Sequence, residues 1–143
     1  MKIKIVVIGT LKEKLYNDRI QKYLKWIARD IKIELVYIKD SQHKKIEQQI
    51  NRLKKQKFFN VCLSEKGDLI TSQIFSDFIF NKNQNIAFLI GGPDGHPKSV
   101  FDKSDYILSL SKMTFPHEMS TLVLTEQIFR AISIKKGTKY HRC

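Results

Sequence analysis

The sequence predicts an α/β fold in which helices flank a mainly parallel β-sheet. Short runs of β-branched and apolar residues alternate with segments whose apolar residues recur every three to four positions, as in alternating strands and helices. The run Ile86–Ile90 is apolar at every position, as expected of a strand covered on both faces. A chain of 143 residues can build one hydrophobic core, so residues 1–143 are expected to form a single domain.

Five apolar runs are expected to be the strands. They span residues 2–8, 33–38, 60–64, 86–90 and 106–110. Gly9-Thr10 ends the first of them, since glycine favours a turn. Ligands of parallel sheets bind beyond the carboxyl ends of the strands, so the loops after the fourth and fifth strands are candidate sites.

Four helices follow from apolar spacing and capping residues. The first carries Leu15, Tyr16, Ile20, Tyr23, Leu24 and Ile27. The second is capped by Ser41 and turns inward Ile46, Ile50 and Leu53. The third starts at Thr71 or Ser72 and carries Ile74, Phe75, Phe78 and Ile79. The fourth begins at Pro97 and ends near Ser104.

The fifth helix is apolar on more than one face. Pro116 suits its first turn, and Glu118 lies near the positive end of its dipole. The Glu126–Arg130 pair has the favourable i,i+4 order, and the helix is expected to end near Ile134. Such a broad apolar surface indicates that the helix also packs against a second subunit.

The chain is strongly and unevenly basic. Its formal net charge is +12, and residues 1–57 hold 16 Lys and Arg against 6 Asp and Glu. A positive field of this size favours a polyanionic partner, above all nucleic acid. The competing interpretation is a compositional bias of the genome, since Lys outnumbers Arg 21 to 5. Composition alone leaves both interpretations open.

Membrane, secreted and metal-binding classes are disfavoured. No run approaches the ~20 apolar residues of a membrane span, and Met1-Lys2 leads into a strand-like run without a signal-peptide pattern. Cys62 is expected in the core and Cys143 as a free thiol, which fits a reducing cytoplasm. No metal-ligand spacing links the four histidines, His43, His96, His117 and His141. No covalent-nucleophile motif is present.

The segment 91–95, Gly-Gly-Pro-Asp-Gly, follows the fully apolar strand. It matches neither the phosphate-loop pattern Gly-x-x-x-x-Gly-Lys-Ser/Thr nor the dinucleotide pattern Gly-x-Gly-x-x-Gly. One interpretation is a sharp turn in which glycines supply positive φ. The other is a ligand loop in which glycines let a flat ligand touch the backbone. The sequence leaves both open.

The segment 110–116, Leu-Ser-Lys-Met-Thr-Phe-Pro, mixes small hydroxyls, two apolar side chains and a helix-starting proline. An adenine ring can sit against the apolar groups while main-chain N–H and C=O groups bind its edge. The alternative is a capped helix start with Met113 and Phe115 in the core. The terminal Tyr140-His141-Arg142 can stack on an unpaired base and bind phosphate, or it can be a frayed tail.

The run FLIGGPDGH…LSLSKMTFPHEMSTLVLTEQIFRA…YHR resembles the small SPOUT-class methyltransferases that modify N3 of a pseudouridine in bacterial 23S ribosomal RNA, the RlmH family. The runs MKIKIVVIGTLKEK and VCLSEKGDLITSQIFSDF are similar too, so the resemblance covers essentially the whole chain. Its specific parts are SKMTFPH and YHR. The chain departs from the family in a shorter segment between the second and third strands and in His96-Pro97.

The resemblance implies a C-terminal trefoil knot, a homodimer, S-adenosylmethionine as methyl donor and 23S rRNA of assembled ribosomes as substrate. By position, the cofactor would be held by Leu63, Gly91, Gly92, Leu110, Ser111, Lys112, Met113, Thr114 and Phe115. RNA would be contacted by Tyr140, His141 and Arg142. The tail is expected to approach the partner's cofactor, because so small a chain cannot easily enclose both donor and RNA.

Direct methyl transfer requires no covalent enzyme intermediate, which fits the missing nucleophile motif. Because N3 of pseudouridine carries an imide proton, a general base would help, and His141 is the candidate. Arg142, or Arg130 if it faces the pocket, would stabilise the anionic base. The rival hypothesis is a non-catalytic basic RNA-binding or ribosome-associated factor, which explains the charge but not the two adjacent loops.

Overall fold

The structure, a computed structural model, describes residues 1–39 and 43–142, apart from the side chain of His43. Its strands are β1 Lys2–Ile8, β2 Lys32–Ile38, β3 Phe59–Leu69, β4 Ile86–Ile90 and β5 Tyr106–Ser109. Its helices are α1 Lys14–Ile27, α2 His43–Lys55, α3 Ser72–Asn81, α4 Lys98–Lys103 and α5 His117–Lys136. Strands and helices alternate strictly, so the predicted α/β class is confirmed.

The five strands form one parallel sheet in the order β2-β1-β4-β3-β5. The apolar strand β4 lies at its centre, between β1 and β3, and all five of its residues are buried. The prediction for Ile86–Ile90 is therefore confirmed. Its position follows from composition, because only a strand with helices over both faces can be apolar throughout.

Two helical layers cover the sheet. One core joins α1, α3 and α5 to one face of the sheet, and a second core joins α2 and α4 to the other. Strand residues alternate between the two, as the pleat requires: Ile5 and Val7 belong to the first core, and Val6 and Ile8 to the second. The inward residues predicted for α2, Ile46, Ile50 and Leu53, are all buried.

The broad apolar surface of α5 has an explanation within one chain. This helix lies between α1 and α3 and also contacts β1 and β4, so it is enclosed on three sides. Leu124 and Ile128 are completely buried there. The apolar residues of α5, which indicated packing against a second subunit, thus already pack against elements of the same chain. The homodimer stays a prediction.

Several details differ from the sequence patterns. Leu15 of α1 and Ile74 of α3 belong to the helical repeats but are 83% and 52% exposed. Strand β3 runs to Leu69, beyond the predicted end at Ser64. The prediction stopped too early because the second half of the strand is polar and lacks the apolar pattern of the first half. The predicted cap Ser41 and the predicted free thiol of Cys143 lie outside the described residues. Cys62 is buried, as predicted, and burial raises the pKa of its thiol to about 12.

Strand β3 contains a break that shapes the rest of the fold. Its first half pairs Leu63 with Leu108 of β5, the chain then bulges out, and Asp68 pairs with the same Leu108. Between them, Gly67 is pressed against the β5 backbone: a Cβ built there would lie 2.6 Å from the Ile107 carbonyl oxygen. Strand order and pairing do not specify how the chain is threaded, so the trefoil knot stays a prediction.

Substituting Gly67→Ala should lower the free energy of unfolding by about 1–3 kcal/mol, because a methyl group would overlap the β5 backbone. Urea denaturation followed by circular dichroism measures the loss. Gly95→Ala is the matched control: Gly95 has a φ of +73° but no atom within 4 Å of the built Cβ, so it reports the conformational cost alone, about 1 kcal/mol. Equal losses for both variants would contradict the close approach.

Candidate functional site

A cavity of about 430 Å³ opens at the carboxyl edge of the sheet. Three segments form its walls: the bulge of β3, the glycine loop after β4 and the loop after β5. Phe101 of α4 and Ser120 of α5 complete them. Both loops that the sequence singled out thus meet at one cavity, because the carboxyl ends of parallel strands lie at the same edge of a sheet.

The predicted cofactor residues lie at this cavity with one exception. The lining includes Leu63, Gly91, Gly92, Leu110, Ser111, Met113, Thr114 and Phe115. Lys112 is not among the lining residues. Its ammonium group donates to the carbonyl oxygens of Gly67 at 2.9 Å and Glu65 at 3.3 Å. Lys112 therefore fastens the loop after β5 to the bulge of β3, a structural contact between two walls.

The glycine loop is both a turn and a wall of the cavity. Gly95 N–H donates to the Gly92 carbonyl at 2.9 Å, and Gly95 adopts a φ of +73°, which favours glycine. A Cβ on Gly91 would lie 3.0 Å from the Gly95 carbonyl carbon, so the loop folds back closely on itself and a side chain there would require the backbone to shift. The two interpretations of residues 91–95 are compatible.

The loop after β5 is held by its own hydroxyl groups. Ser109 Oγ donates to the Ser111 carbonyl at 2.8 Å, and Ser111 Oγ accepts from the Met113 amide at 3.0 Å. Met113 is 77% exposed, so the alternative that places it in the core is wrong. Phe115 is half-buried and faces the cavity. An exposed thioether and a half-buried ring at a cavity mouth are suited to an apolar ligand face.

Sequence reasoning missed the bulge of β3 as a wall. Ser64, Glu65 and Lys66 line the cavity because β3 leaves the sheet after Leu63 and returns at Asp68. No residue pattern marks this break, since it arises from pairing with β5, some forty residues later in the chain. Only Gly67 carried a signal, as a lone glycine in a polar stretch.

His96 is a second wall residue that the sequence did not assign to the site. Its Nε2 donates to the Leu89 carbonyl at 3.0 Å, and its ring packs edge-on against Phe101 with centroids 5.7 Å apart. Nδ1 is buried without a hydrogen-bond partner among the described residues. Burial lowers the pKa of His96 below its ordinary 6.5, against the opposite effect of the bond to Leu89. The ring is therefore a neutral brace of the glycine loop.

The C-terminal tail docks on α5 and α1. The Tyr140 hydroxyl donates to Glu126 Oε1 at 3.1 Å and lies 3.3 Å from the Tyr23 hydroxyl. Its ring packs edge-on against Phe129 at 4.8 Å between centroids, and the Arg130 guanidinium lies over it at 4.8 Å. Burial is the largest cause that raises the pKa of Tyr140. The tail is thus anchored where it leaves α5, and the frayed-tail alternative does not describe Tyr140.

The remaining tail residues lie along the same surface. His141 Nδ1 accepts from Arg130 Nη1 at 3.1 Å, and its Nε2 lies 3.1 Å from the Gln73 side-chain amide nitrogen. Arg142 is exposed. Arg130 also pairs with Glu126 at 2.6 Å, which confirms the predicted i,i+4 pair. The Arg130 guanidinium has only N–H donors, so His141 Nδ1 must accept this hydrogen bond with its lone pair. Nδ1 is therefore not free to accept another proton in this arrangement.

The tail and the cavity lie at different ends of α5. Of the described residues that line the cavity, Ser120 is contributed by the first turn of α5, and none comes from 140–142. The tail docks near Arg130, about 15 Å further along the helix. Arg130 does not line the cavity either. The predicted catalytic residues His141 and Arg142 are therefore not brought to the cavity of their own chain.

The start of α5 is fixed by contacts with the loop after β1. His117 Nε2 donates to the Thr10 carbonyl at 2.9 Å, in support of a structural role for this histidine. Glu118 Oε1 accepts from the amides of Lys12 and Glu13, near the start of α1. In the described part of the chain, no group of three or more His, Cys, Asp or Glu side chains could hold a metal ion. No described helix is long and apolar enough to cross a membrane.

Residues 1–141 match the family model described as "Predicted SPOUT methyltransferase". The chain belongs to the SPOUT methyltransferase family. It is 35% identical to ribosomal RNA large subunit methyltransferase H of Caldicellulosiruptor bescii, over 98% of this chain and 99% of the relative. It is 39% identical to the protein of the same name from Prochlorococcus marinus strain NATL2A, over 97% of this chain and 94% of the relative.

Two solved structures share the fold at low identity. A probable methylase family protein from Haemophilus influenzae superposes with a TM-score of 0.61 at 14% identity, over 99% of this chain and 70% of the other. The SpoU methyltransferase AviRb from Streptomyces viridochromogenes, solved in complex with AdoMet, gives a TM-score of 0.54 at 11% identity, over 96% and 58%. At such identities the likeness concerns the fold, and the family's α/β architecture is confirmed.

His96 should make stability fall in mildly acidic solution. Its pKa is below 6.5 in the fold and near 6.5 in the unfolded chain, so below pH 6.5 the unfolded state binds more protons. The free energy of unfolding should therefore decrease as the pH falls from about 7 to about 5. In His96→Gln this contribution is absent, so the difference between the two proteins should narrow at low pH. Parallel profiles from denaturation at several pH values would contradict the prediction.

Proposed function

We propose that this chain methylates N3 of a pseudouridine in the 23S rRNA of assembled ribosomes, with S-adenosylmethionine as donor. The enzyme class, the cofactor and large-subunit rRNA as substrate follow from its family, whose curated relatives at 35–39% identity are named ribosomal RNA large subunit methyltransferase H. The base and atom rest on the resemblance of SKMTFPH and YHR. The observation that carries the proposal is the convergence of both loops on one cavity.

The cavity fits the proposed cofactor in size and chemistry. Its volume of about 430 Å³ lies within the ~300–1,000 Å³ typical of small-molecule sites. Gly91 and Gly92 leave main chain exposed on one side, suited to hydrogen bonds with a polar edge. Met113 and Phe115 offer an apolar surface on the other. A nucleoside with a charged amino-acid tail needs this mixture of flat apolar and polar walls.

S-adenosylmethionine supplies an electrophilic methyl group on a sulfonium. The protein has to hold the acceptor nitrogen in line with that group, and positioning accounts for a large part of the rate. Formation of the new N–C bond would break the bond between the methyl carbon and sulfur, release S-adenosylhomocysteine and require the N3 proton of pseudouridine to leave. We assign its removal to His141 and the stabilisation of the resulting negative charge to Arg142. Removal through Nδ1 requires His141 to leave its contact with Arg130.

We further propose that the tail acts on the cavity of a partner in a homodimer. Tyr140 is anchored to Glu126 and Tyr23, at the opposite end of α5 from the cavity. Exposed Leu15 and Ile74 mark apolar surface on the same layer of helices that carries the tail. A second copy covering this layer would bury them and supply the missing tail. The enzyme is proposed to act as a single domain in the cytoplasm.

The rival hypothesis, a non-catalytic ribosome-associated factor, accounts less well for the site. A factor that only binds RNA needs basic surface but no cavity with glycine-rich walls beneath its loops. Met113 and Phe115 would then have no reason to face a cavity. The family membership of the chain also favours the enzyme.

Phe115→Ala should weaken binding of S-adenosylmethionine about tenfold, or about 1.4 kcal/mol, because it removes the apolar face of the cavity. Isothermal calorimetry on the purified protein measures the dissociation constant. Phe80→Ala is a matched control, since Phe80 packs in the α1–α3–α5 core and does not line the cavity. If the native protein binds no S-adenosylmethionine, the proposed function is wrong.

His141→Ala and Arg142→Ala should each slow single-turnover methylation of ribosomes by about 100-fold or more, because general-base and charge contributions are of that order. The substrate is ribosomes from a strain lacking the enzyme, with the modified base mapped afterwards. Affinity for S-adenosylmethionine should not change, since the tail does not line the cavity of its own chain and is proposed to act on the RNA base at the partner's cavity. Lys139→Ala serves as the control for a loss of positive charge nearby.

Mixing subunits tests whether the tail acts on the partner. Dimers of a His141→Ala chain and a Phe115→Ala chain contain one intact cavity opposite one intact tail. Activity well above that of either variant alone is expected if the tail reaches across. Activity no higher than the average of the two would place the tail at its own cavity.

A further inference from the structure

Helix α2 carries a stripe of positive charge on its exposed side. The stripe consists of Lys44, Lys45, Arg52 and Lys55, and all four residues are exposed. At 3.6 residues per turn, these positions fall within about 100° of the helix circumference and extend about 16 Å along it. The one acidic residue of α2, Glu47, lies outside this arc. The stripe therefore presents a single sign of charge.

These four charges make no ion pair among the described residues. The salt bridges of the described part join Lys2 to Glu34, Arg130 to Glu126, and Lys136 to Asp30. Those three cations are paired with carboxylates of the protein, whereas the stripe has no such partner in the described part of the chain. Four unpaired cations on one helix face repel one another, and a bound polyanion removes that repulsion.

The helix that carries the stripe packs against a wall of the cavity. On the buried side of α2, Ile46 and Gln49 share a small apolar space with His96, which also lines the large cavity. Glu47 accepts from Ser99 Oγ at 3.0 Å, immediately before the buried part of α4. Because Glu47 faces α4, it is used within the protein and does not interrupt the stripe.

A second contact fastens the far end of the helix. Lys103 of α4 donates to Asn51 Oδ1 at 3.0 Å. Helix α4 in turn contributes Phe101 to the cavity wall. The stripe and the cavity thus belong to one packed unit, so an RNA held on the stripe would keep a constant relation to the methyl donor.

The other basic helix is less suited to this role. Arg19 of α1 lies over the rings of Tyr23 and Trp26, at 5.1 and 5.8 Å from their centroids. The same rings pack against Phe129 of α5. Lys14, Lys22 and Lys25 of α1 and Arg29 in the turn after it are exposed, but on the helical layer that bears the tail. They provide a natural control of equal charge.

We propose that the stripe Lys44, Lys45, Arg52 and Lys55 binds the phosphate backbone of the ribosomal RNA next to the modified base. This inference rests on the proposed function and adds a docking surface to it. Lysine and arginine on one helix face contact phosphates without reading sequence, which sets position and affinity. The target base is selected at the cavity and the tail, and the stripe holds the surrounding RNA.

The test compares two variants that lose the same charge. Lys44→Gln/Lys45→Gln/Arg52→Gln/Lys55→Gln removes the stripe, and glutamine keeps helix propensity. Lys14→Gln/Lys22→Gln/Lys25→Gln/Arg29→Gln removes three lysines from α1 and one arginine from the turn that follows it. Binding to ribosomes from a strain lacking the enzyme is measured over a series of salt concentrations, alongside calorimetry with S-adenosylmethionine. Circular dichroism checks that both variants fold.

The stripe variant should bind ribosomes about 100-fold more weakly, with a salt slope lower by about three to four. The α1 variant should change far less. Methylation by the stripe variant should recover at saturating ribosome concentration, since KM rises and kcat is retained. Lys44→Arg/Lys45→Arg/Lys55→Arg should bind normally, because charge is preserved.

Equal losses in the two glutamine variants would show a general charge effect and overturn the proposal. Unchanged binding by the stripe variant would overturn it as well. In both cases S-adenosylmethionine binding and methylation by the native protein would still support the proposed function. Failure of the native protein to bind S-adenosylmethionine would instead refute the function itself.

Discussion

The candidate site depends on the place where the bulge of β3 lies against the backbone of β5. Gly67 lies so close to the Ile107 carbonyl that no side chain fits, and the Lys112 ammonium group donates to the carbonyls of Gly67 and Glu65. These contacts hold the loop after β5 against the bulge of β3. Without them, the segment 110–115 would have no opposite wall, and the glycine loop would face solvent. The cavity is therefore a product of backbone contact more than of side-chain packing.

The protein separates its tasks over its two helical layers. The layer of α1, α3 and α5 holds the tail, whose anchor at Tyr140 is distant from the cavity of the same chain. The layer of α2 and α4 braces the glycine loop through His96 and carries the positive stripe, which has no ion pair among the described residues. In the proposed homodimer the stripe would stay uncovered, because the second copy covers the layer of α1, α3 and α5.

The two loops that form walls of the cavity were predictable from local sequence patterns. The roles of Lys112 and His96 were not, because they depend on contacts with residues elsewhere in the chain. Gly91 and Gly92 were predictable because glycines after a buried strand lie at the carboxyl edge of the sheet. Lys112 was assigned to the cofactor by the family resemblance, yet its ammonium group donates to carbonyl oxygens in the bulge of β3. His96 had no distinguishing pattern, since its role comes from the Leu89 carbonyl and the Phe101 ring.

The sequence by itself determined the α/β class, the burial of Ile86–Ile90 on both faces and the excess of positive charge in residues 1–57, because periodicity and charge can be read from the residues themselves. Tertiary structure decided the rest. It showed that the apolar faces of α5 are covered by α1 and α3, and that β3 leaves the sheet and returns. It also placed the tail away from its own cavity. These features depend on pairing between segments far apart in the chain, which local spacing does not encode.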